Sequence, residues 1–436
     1  MNTLITLDTP VLDYSSRPSP NADLESLLDI VQRRTLAYFV DGAHPLSRLP
    51  FDRRLTYGRP RSDIVSIGGV GFSFMALVVG TCRGWISRKQ ATEQIQAMLS
   101  FLGRAPRFRG AFSHFIDGSN GSLVPFSRYD DGGDLVETSL LLQGMICAKE
   151  FFDGHCEEEQ VIRQMASTII DTVEWSWYSP ERGRPSLYWH WSPNHGWKLN
   201  TPITGWNEAL ITYVLAAGSI AHPIDPDCFH CGWTNAGQFI NGRSFYGVTL
   251  PVGVDFGGPL FLSQYSFCGL DPRRLGDNYL VYGNQVAAHA QINYRHCKAN
   301  PAGHYGYGDF GWGLSASHGP EGYAVSSPAS DLGILTPSAA LAAFPFLPEE
   351  AEEALRGFLQ YAEGRAFGRY GFVDSFSPPR HWISRTYLAI NQGPTIAMIE
   401  NYRSGLLWRL FMQAPEVKRG LRRLGIRDDA KAKGNI

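Results

Sequence analysis

The sequence predicts an all-α fold: an (α/α)6 toroid, six helical hairpins in a single domain. Three observations lead there. Helical periodicity recurs along the whole 436-residue chain. Strand-like alternation is scarce and short, as around Arg369–Ser375. No fixed-period self-similarity marks a solenoid, and no linker divides the chain.

The helices can be justified in order. After Asn21, Leu24, Leu27, Leu28 and Val31 follow the i, i+3, i+4, i+7 rule. Gly69–Gly80 is a further helical candidate. Ser87 and Gln90 have capping-box spacing and open Ala91–Leu102. Asp134–Phe152 begins with Asp134 and Glu137 at N-cap and N3 spacing. Glu158–Trp177, Trp206–Ser219, Leu260–Gly269, Asp277–Cys297, Asp331–Ala343, Pro348–Ala366 and Pro394–Met412 complete about eleven helices. Polar and aromatic residues crowd the loops at helix starts, which would sit at one mouth of a toroid. Residues 1–20 read as an N-terminal extension, 21–425 as the helical domain and 426–436 as a basic tail.

Composition narrows the function. A hydrophobic content of 44% supports a sizeable core, and a formal net charge of −2 argues against a nucleic-acid or membrane-surface partner. Aromatics reach 13%, with 11 Trp and 19 Tyr, a surplus that a carbohydrate ligand would account for. The seven cysteines are scattered. Cys228-Phe-His-Cys231 has no second pair at ligand spacing, so reduced structural thiols are expected, with no metal site. The N-terminus lacks a basic and then apolar leader, and no stretch of about 18 apolar residues occurs. A cytoplasmic location is expected, or a periplasmic one if a signal has been removed.

The acids supply the chemistry. Thr204-Gly-Trp-Asn-Glu208 precedes an apolar helical run, which puts a carboxylate beside an indole and an amide at a helix start. Just upstream, Leu187-Tyr-Trp-His-Trp-Ser-Pro193 carries Trp189 and Trp191 at alternating positions. Sugar C–H faces stack on aromatic rings, and a glycosidic oxygen needs a proton from a nearby acid. Glu208 could equally complement a helix N-terminus. Four acids, Asp130, Asp131, Asp134 and Glu137, fall within eight positions. Asp134 has a capping role available, whereas Asp130 and Asp131 have no such structural reason to be there. Clustered carboxylates raise each other's pKa and are costly to collect without a task.

Several stretches, taken together, resemble the bacterial glucoamylase-like family that includes the endo-β-1,2-glucanases. They are Asp131–Gly144, Leu187–Trp197, Trp206–Ala217, Thr249–Phe261, Trp312–Tyr323, Ser327–Pro337 and Ile390–Trp408. They occur in the family's order and cover about residues 25–425. The resemblance implies an (α/α)6 fold, hydrolysis of β-1,2-glucan, and no metal or organic cofactor. It makes Glu208 the general acid and places Asp131, Asp134 and Glu137 along the cleft. Two motifs depart from the family's pattern. Ser317-His318-Gly-Pro320 and Ile390-Asn391-Gln-Gly-Pro394 each lose an aspartate, and an amide cannot act as a base near neutral pH.

The expected activity is therefore that of a glycoside hydrolase on β-1,2-glucan or its oligosaccharides. Glu208 is the acid, and Asp131 or Asp134 the second carboxylate, with Asp374 in reserve. Glu208 and the acidic loop lie on different helix starts, so a gap wide enough for water, and hence inversion, is expected. Asp130, Glu137, Trp189, Trp191, Trp206, Asn207, Tyr307, Asp309, Trp312, His318, Asn391 and Gln392 are the expected substrate contacts, with some of the aromatics serving as core. Three rival readings are a transglycosylase, an exo-acting relative, and a glycan-binding protein that has lost turnover.

Overall fold

The computed structural model describes residues 18–181, 183–308 and 310–429. Twelve α-helices are found among these residues: α1 (Leu24–Phe39), α2 (Ile67–Cys82), α3 (Arg88–Leu102), α4 (Leu135–Phe151), α5 (Glu157–Asp171), α6 (Leu210–Gly218), α7 (Tyr282–Ala299), α8 (Pro337–Leu341), α9 (Pro348–Gln360), α10 (Ala389–Arg403), α11 (Leu406–Gln413) and α12 (Pro415–Arg423). Strands among the described residues are two to four residues long, and the largest sheet joins Ile64–Ser66, Phe115–Asp117 and Leu123–Val124.

Two kinds of helix are present. Helices α2, α4, α6 and α10 are buried along nearly their whole length. The sequences of α2 and α6 are apolar on nearly all sides, as a helix packed between other helices requires, whereas α4 and α10 also bury polar residues such as Glu137, Gln143, Asn391 and Glu400. Helices α1, α3, α5 and α9 instead bury one face and expose the other. Helix α2 packs on α4 and α10, α4 on α6 and α11, and α6 on α12.

Glycines set how closely the central helices approach. A Cβ on Gly144 of α4 would lie 1.8 Å from the Gly71 carbonyl oxygen of α2. One on Gly71 would lie 2.0 Å from the Leu140 oxygen, and one on Gly393 of α10 would lie 2.1 Å from the Phe72 ring. Backbone therefore meets backbone between α2 and α4. The same approach lets Gly68 N–H donate to the Glu137 carboxylate at 2.6 Å.

The structure changes several of the expected boundaries. Trp206–Ser219 is helical only from Leu210. Asn207 Oδ1 accepts the Ala209 N–H at 2.9 Å, a local bond that competes with helix formation. Leu260–Gly269 forms two short 3-10 turns, Leu260–Ser263 and Ser266–Cys268. In Asp277–Cys297 the helix starts at Tyr282, because Asp277 accepts the Tyr279 and Leu280 N–H groups and the Tyr282 hydroxyl. Of Asp331–Ala343 only Pro337–Leu341 is helical. Pro394–Met412 is two helices, divided where Gly405 takes φ 66°. The first of them begins five residues before Pro394. The chain after Gly425 is not wholly peripheral: Arg427–Asp428 pairs with Leu275–Gly276, and Ile426 is buried.

Gly144→Ala is expected to lower unfolding stability by about 3 kcal/mol, because neither backbone can yield locally. Urea titration of the variant checks this. A loss under about 1 kcal/mol would show that the α2–α4 contact has slack.

Candidate active site

The N-terminal ends of α2, α4 and α10 and the turn before α6 bring their polar residues to one region. Asp134 is the N-cap of α4, and its Oδ1 accepts the Val136 and Glu137 N–H groups at 3.0 and 2.9 Å. Its Oδ2 meets His114 Nδ1 at 2.9 Å. His190 Nδ1 lies 3.2 Å from Asp130 Oδ1 and 3.8 Å from Asp134 Oδ2. The pairing of Gly133–Asp134 with His190–Trp191 sets His190 directly opposite Asp134. Alternation along that strand then turns Trp189 and Trp191 to the other face.

This network is charged in both senses. Burial opposes charge on His114, but Glu137, Asp134 and Asp130 outweigh it and lift the imidazole to about 9. Burial likewise opposes charge on His190, and the adjacent Asp130 and Asp134 carboxylates raise it overall. Asp134 is held below the usual range despite burial, through His114 and His190. Glu137 goes the other way, pushed by burial up to about 7. His114, Asp130 and Asp134 offer donor atoms within 4.8 Å of one another, the spacing a cation would need. In this structure the two imidazoles already counter those carboxylates.

Glu208 sits in the turn that precedes α6. Its carbonyl oxygen accepts the Ser266 hydroxyl, and Ser266 Oγ also accepts the Ile211 N–H at 3.0 Å. Glu208 is half-buried. Burial raises its pKa to about 7, with smaller pushes from Glu137 and Asp134. Near neutral pH the group can therefore hold a proton and release it.

A third carboxylate stands on another element. Asp374 is 2% exposed. Its Oδ1 accepts Asn391 Nδ2 at 2.8 Å and its Oδ2 accepts His318 N–H at 2.6 Å. Burial raises it to about 6 against those two donors. Asn391 Oδ1 in turn accepts the Tyr265 hydroxyl at 3.2 Å. The hydroxyls of Tyr265 and Tyr323 lie within electrostatic reach of Glu208, Asp374 and Glu137. Tyr323 pairs with His318 across the Ala316–Val325 hairpin and is 56% exposed. Asp52 and Arg53 complete the wall: Arg53 lowers Asp374 and Asp52, while burial of Asp52 raises it.

Comparison with known proteins follows the same outline. The family model described as "Putative glucoamylase" matches residues 200–415. An endo-β-1,2-glucanase from Chitinophaga pinensis, solved with sophorotriose and glucose, is 42% identical with a TM-score of 0.90. The match covers 93% of this chain and 99% of that one. This chain belongs to the glucoamylase-like family that includes the β-1,2-glucanases. An exo β-1,2-glucooligosaccharide sophorohydrolase acting at the non-reducing end, from Parabacteroides distasonis, is 40% identical over 420 residues. That match covers 92% of this chain but 58% of the relative, so the chain spans little more than half of it. An endo-β-1,2-glucanase from Talaromyces funiculosus, at 13% identity and a TM-score of 0.65, shares the helical fold.

Within this family site, several expected contacts take other places. Asp131 is bound by Ser192 Oγ at 2.5 Å and Asn194 Nδ2 at 2.7 Å, which hold its pKa low despite burial. It ties down the 192–196 turn. Both oxygens of Asp134 are used in capping and pairing. Trp206 donates Nε1 to Ser263 at 2.8 Å and stacks on Phe267, and Trp312 is 1% exposed with Nε1 on the Glu350 carbonyl. Both are core. Tyr307 donates to Asp331 in a separate cluster with His296. Gln392 is buried and donates to the Phe372 carbonyl. Asn207 holds its own turn. Trp191 packs edge-on against Trp177. Asp309 lies outside the described residues.

The sequence reading missed Asp52, Arg53, His114, His190, Tyr265 and Tyr323. His190 had a signal, since it alternates with the two tryptophans next to it. The others come from short strands, turns and loops whose residues converge only in three dimensions.

Asn391 does not line open cleft; it clamps Asp374. Asn391→Asp would set two buried carboxylates about 2.8 Å apart, the present contact distance, and like charges raise one pKa of such a pair. The acid limb of kcat/KM is expected to move upward by about one pH unit or more. An unmoved acid limb in an active variant would show that Asp374 does not set it.

Proposed function

We propose that this protein is a glycoside hydrolase that cleaves β-1,2-glucan or its oligosaccharides with inversion. The observation that carries the reading is Glu208, a half-buried residue whose carboxyl is raised to about 7 by burial, with smaller pushes from Glu137 and Asp134 at the start of α4. Glu208 protonates the leaving glycosidic oxygen. Asp374, at about 6, is largely ionised at neutral pH and is the favoured base. Each carboxylate oxygen has two lone pairs, so its bonds to Asn391 and His318 leave capacity for a water or for a substrate hydroxyl relaying to one. Asp131 and Asp134 serve less well, because their oxygens are already engaged. Glu137 is protonated over too much of the range to compete.

The family match supports the substrate class: relatives named β-1,2-glucanase and sophorohydrolase align over nearly all of this chain. The buried set α2, α4, α6 and α10, with starts that converge on the site, supports closure into an (α/α)6 toroid whose inner ring they would form. We take residues 21–425, with the docked segment after Gly425, as one catalytic domain.

One observation favours a second reading. The amide of Asn391 stands where the family's pattern has an acid, which alters the machinery that handles water. Exo-action on short oligosaccharides, or transfer to a sugar, would be compatible with Glu208 retained and that acid lost.

Glu208→Gln should keep the fold and ligand binding but cut turnover by about 10² to 10⁴. In the parent enzyme kcat/KM should peak between about pH 6 and 7, as it requires Asp374 ionised and Glu208 protonated. The alkaline limb should vanish in the variant. Residual activity within about tenfold of the parent would reassign Glu208 to helix-terminus electrostatics.

The stereochemistry can be followed by proton NMR of the product anomers during the first minutes with β-1,2-glucan. Inversion is expected, with products shorter than the substrate on thin-layer chromatography. Initial retention, or products longer than the substrate, would favour transfer.

A further inference from the structure

A glycan cleft needs apolar ring faces, and Trp206 and Trp312 place theirs in the core. Beside the acidic loop, Phe126 keeps its side chain 58% exposed. It carries no polar atom, so covering it with another apolar surface is favourable. Single apolar residues are ordinary on a protein surface. Phe126 differs from them in being held on three sides.

The first hold is its neighbour Phe115. Leu123–Val124 pairs with Phe115–Asp117, which sets Val124 opposite Phe115. Alternation brings Phe126, two residues on, to the same face and diagonal to Phe115. The two rings stack with centroids 5.7 Å apart and planes 28° apart. The second hold is His114, whose ring centroid lies 4.5 Å away. That is within the range over which a cationic group attracts an aromatic face. The third is the backbone: Phe126 N–H donates to the Asp130 carbonyl oxygen at 3.0 Å, which fastens the 126–130 turn to the acidic loop.

These contacts also tie Phe126 to the chemistry. His114 binds Asp134, and the charge of Asp134 is felt at Glu208. Phe126 is therefore linked to the acid through two further side chains. A sugar ring lying over it would sit further along the cleft than the bond being cleaved. The Phe115–Phe126 stack offers a flat, uncharged surface with few rotamers left to lose, which suits the C–H face of a pyranose.

We propose that Phe126 is the platform of an outer glucosyl subsite, which stacks a ring beyond the two joined at the scissile bond and so favours longer β-1,2-glucan chains. The proposal rests on the reading of the cleft as a β-1,2-glucan-cleaving site.

Steady-state kinetics of Phe126→Ala, Phe126→Leu and Phe126→Trp on β-1,2-glucan and on a length series of its oligosaccharides test it. Phe126→Ala should lower kcat/KM on the polymer by about three- to tenfold, and the loss should lie in KM. The loss should shrink with chain length, to within about twofold on the shortest oligosaccharide that is cleaved. Phe126→Leu keeps apolar bulk without a ring and should fall with Phe126→Ala. Phe126→Trp should keep the parent's preference for length. In the Glu208→Gln background, Phe126→Trp should also add a change in tryptophan emission on titration with β-1,2-glucan, beyond that of Glu208→Gln alone. Should Phe126→Ala fail to fold, the contrast between Leu and Trp decides. Parent-like kinetics of the Ala or Leu variant, an equal loss at every chain length, or a loss carried by kcat would each overturn the subsite. A parent that neither cleaves nor binds β-1,2-glucan would sink the reading of the cleft and the subsite with it, whereas a normal parent beside a parent-like Phe126→Leu sinks the subsite alone.

Discussion

The site depends on one fully buried carboxylate, Asp134. One of its oxygens caps α4 and the other binds His114, so a single side chain fixes both the helix start and the charge balance around it. A buried carboxylate is tolerable only when hydrogen-bonded and paired. Asp134 meets both conditions, and in doing so it holds His114 and His190 as counter-charges to the neighbouring acids. Glu137, one turn into the helix, then faces α2 with its carboxylate on the Gly68 N–H. That contact exists because Gly71 and Gly144 let the two helix backbones touch.

The same electrostatic environment separates the acids into different states. Asp134 is held low by two imidazoles, Asp374 is raised by burial to about 6 against two donors, and Glu208 is raised by burial to about 7 with smaller pushes from Glu137 and Asp134. Carboxyls in one cleft whose environments push them apart are suited to opposite proton-transfer roles. Ser266 adds a mechanical constraint. By binding the Glu208 carbonyl and the Ile211 N–H together, it anchors the turn that aims the acid.

Much of this was legible in the sequence, in proportion to how local each signal is. The apolar runs of α2 and α4 gave those helices nearly to the residue. The Ser87–Gln90 capping box and the Asp134 cap both form as their spacing predicts. Glu208 was singled out in the sequence as the acid, and Asp374 only as a reserve for the second carboxylate. The failures have non-local causes. Trp206 and Trp312 resemble stacking platforms in sequence, but only the fold shows that Ser263 and the Glu350 carbonyl receive their indole N–H groups in the core. Asp131 showed no structural partner in the sequence, and only the fold brings Ser192 and Asn194 to it. Gly405 ends a helix by a left-handed turn inside what reads as a single apolar stretch.

Asn391 shows why a lost acid need not mean a lost function. An aspartate at this position would face Asp374 across a hydrogen-bonding distance, and the pair would share a proton. The amide instead donates to Asp374 and accepts from Tyr265, which leaves one carboxylate with a settled charge. The string Tyr265–Asn391–Asp374 then keeps a base-capable group in place without a second negative charge beside it. Backbone support from His318, in the other motif that departs from the family's pattern, completes the cradle around that carboxylate. The two departures thus meet at Asp374, so the family's missing acids and the acid that remains form one local arrangement. Any change in how this protein handles water relative to its relatives should arise there.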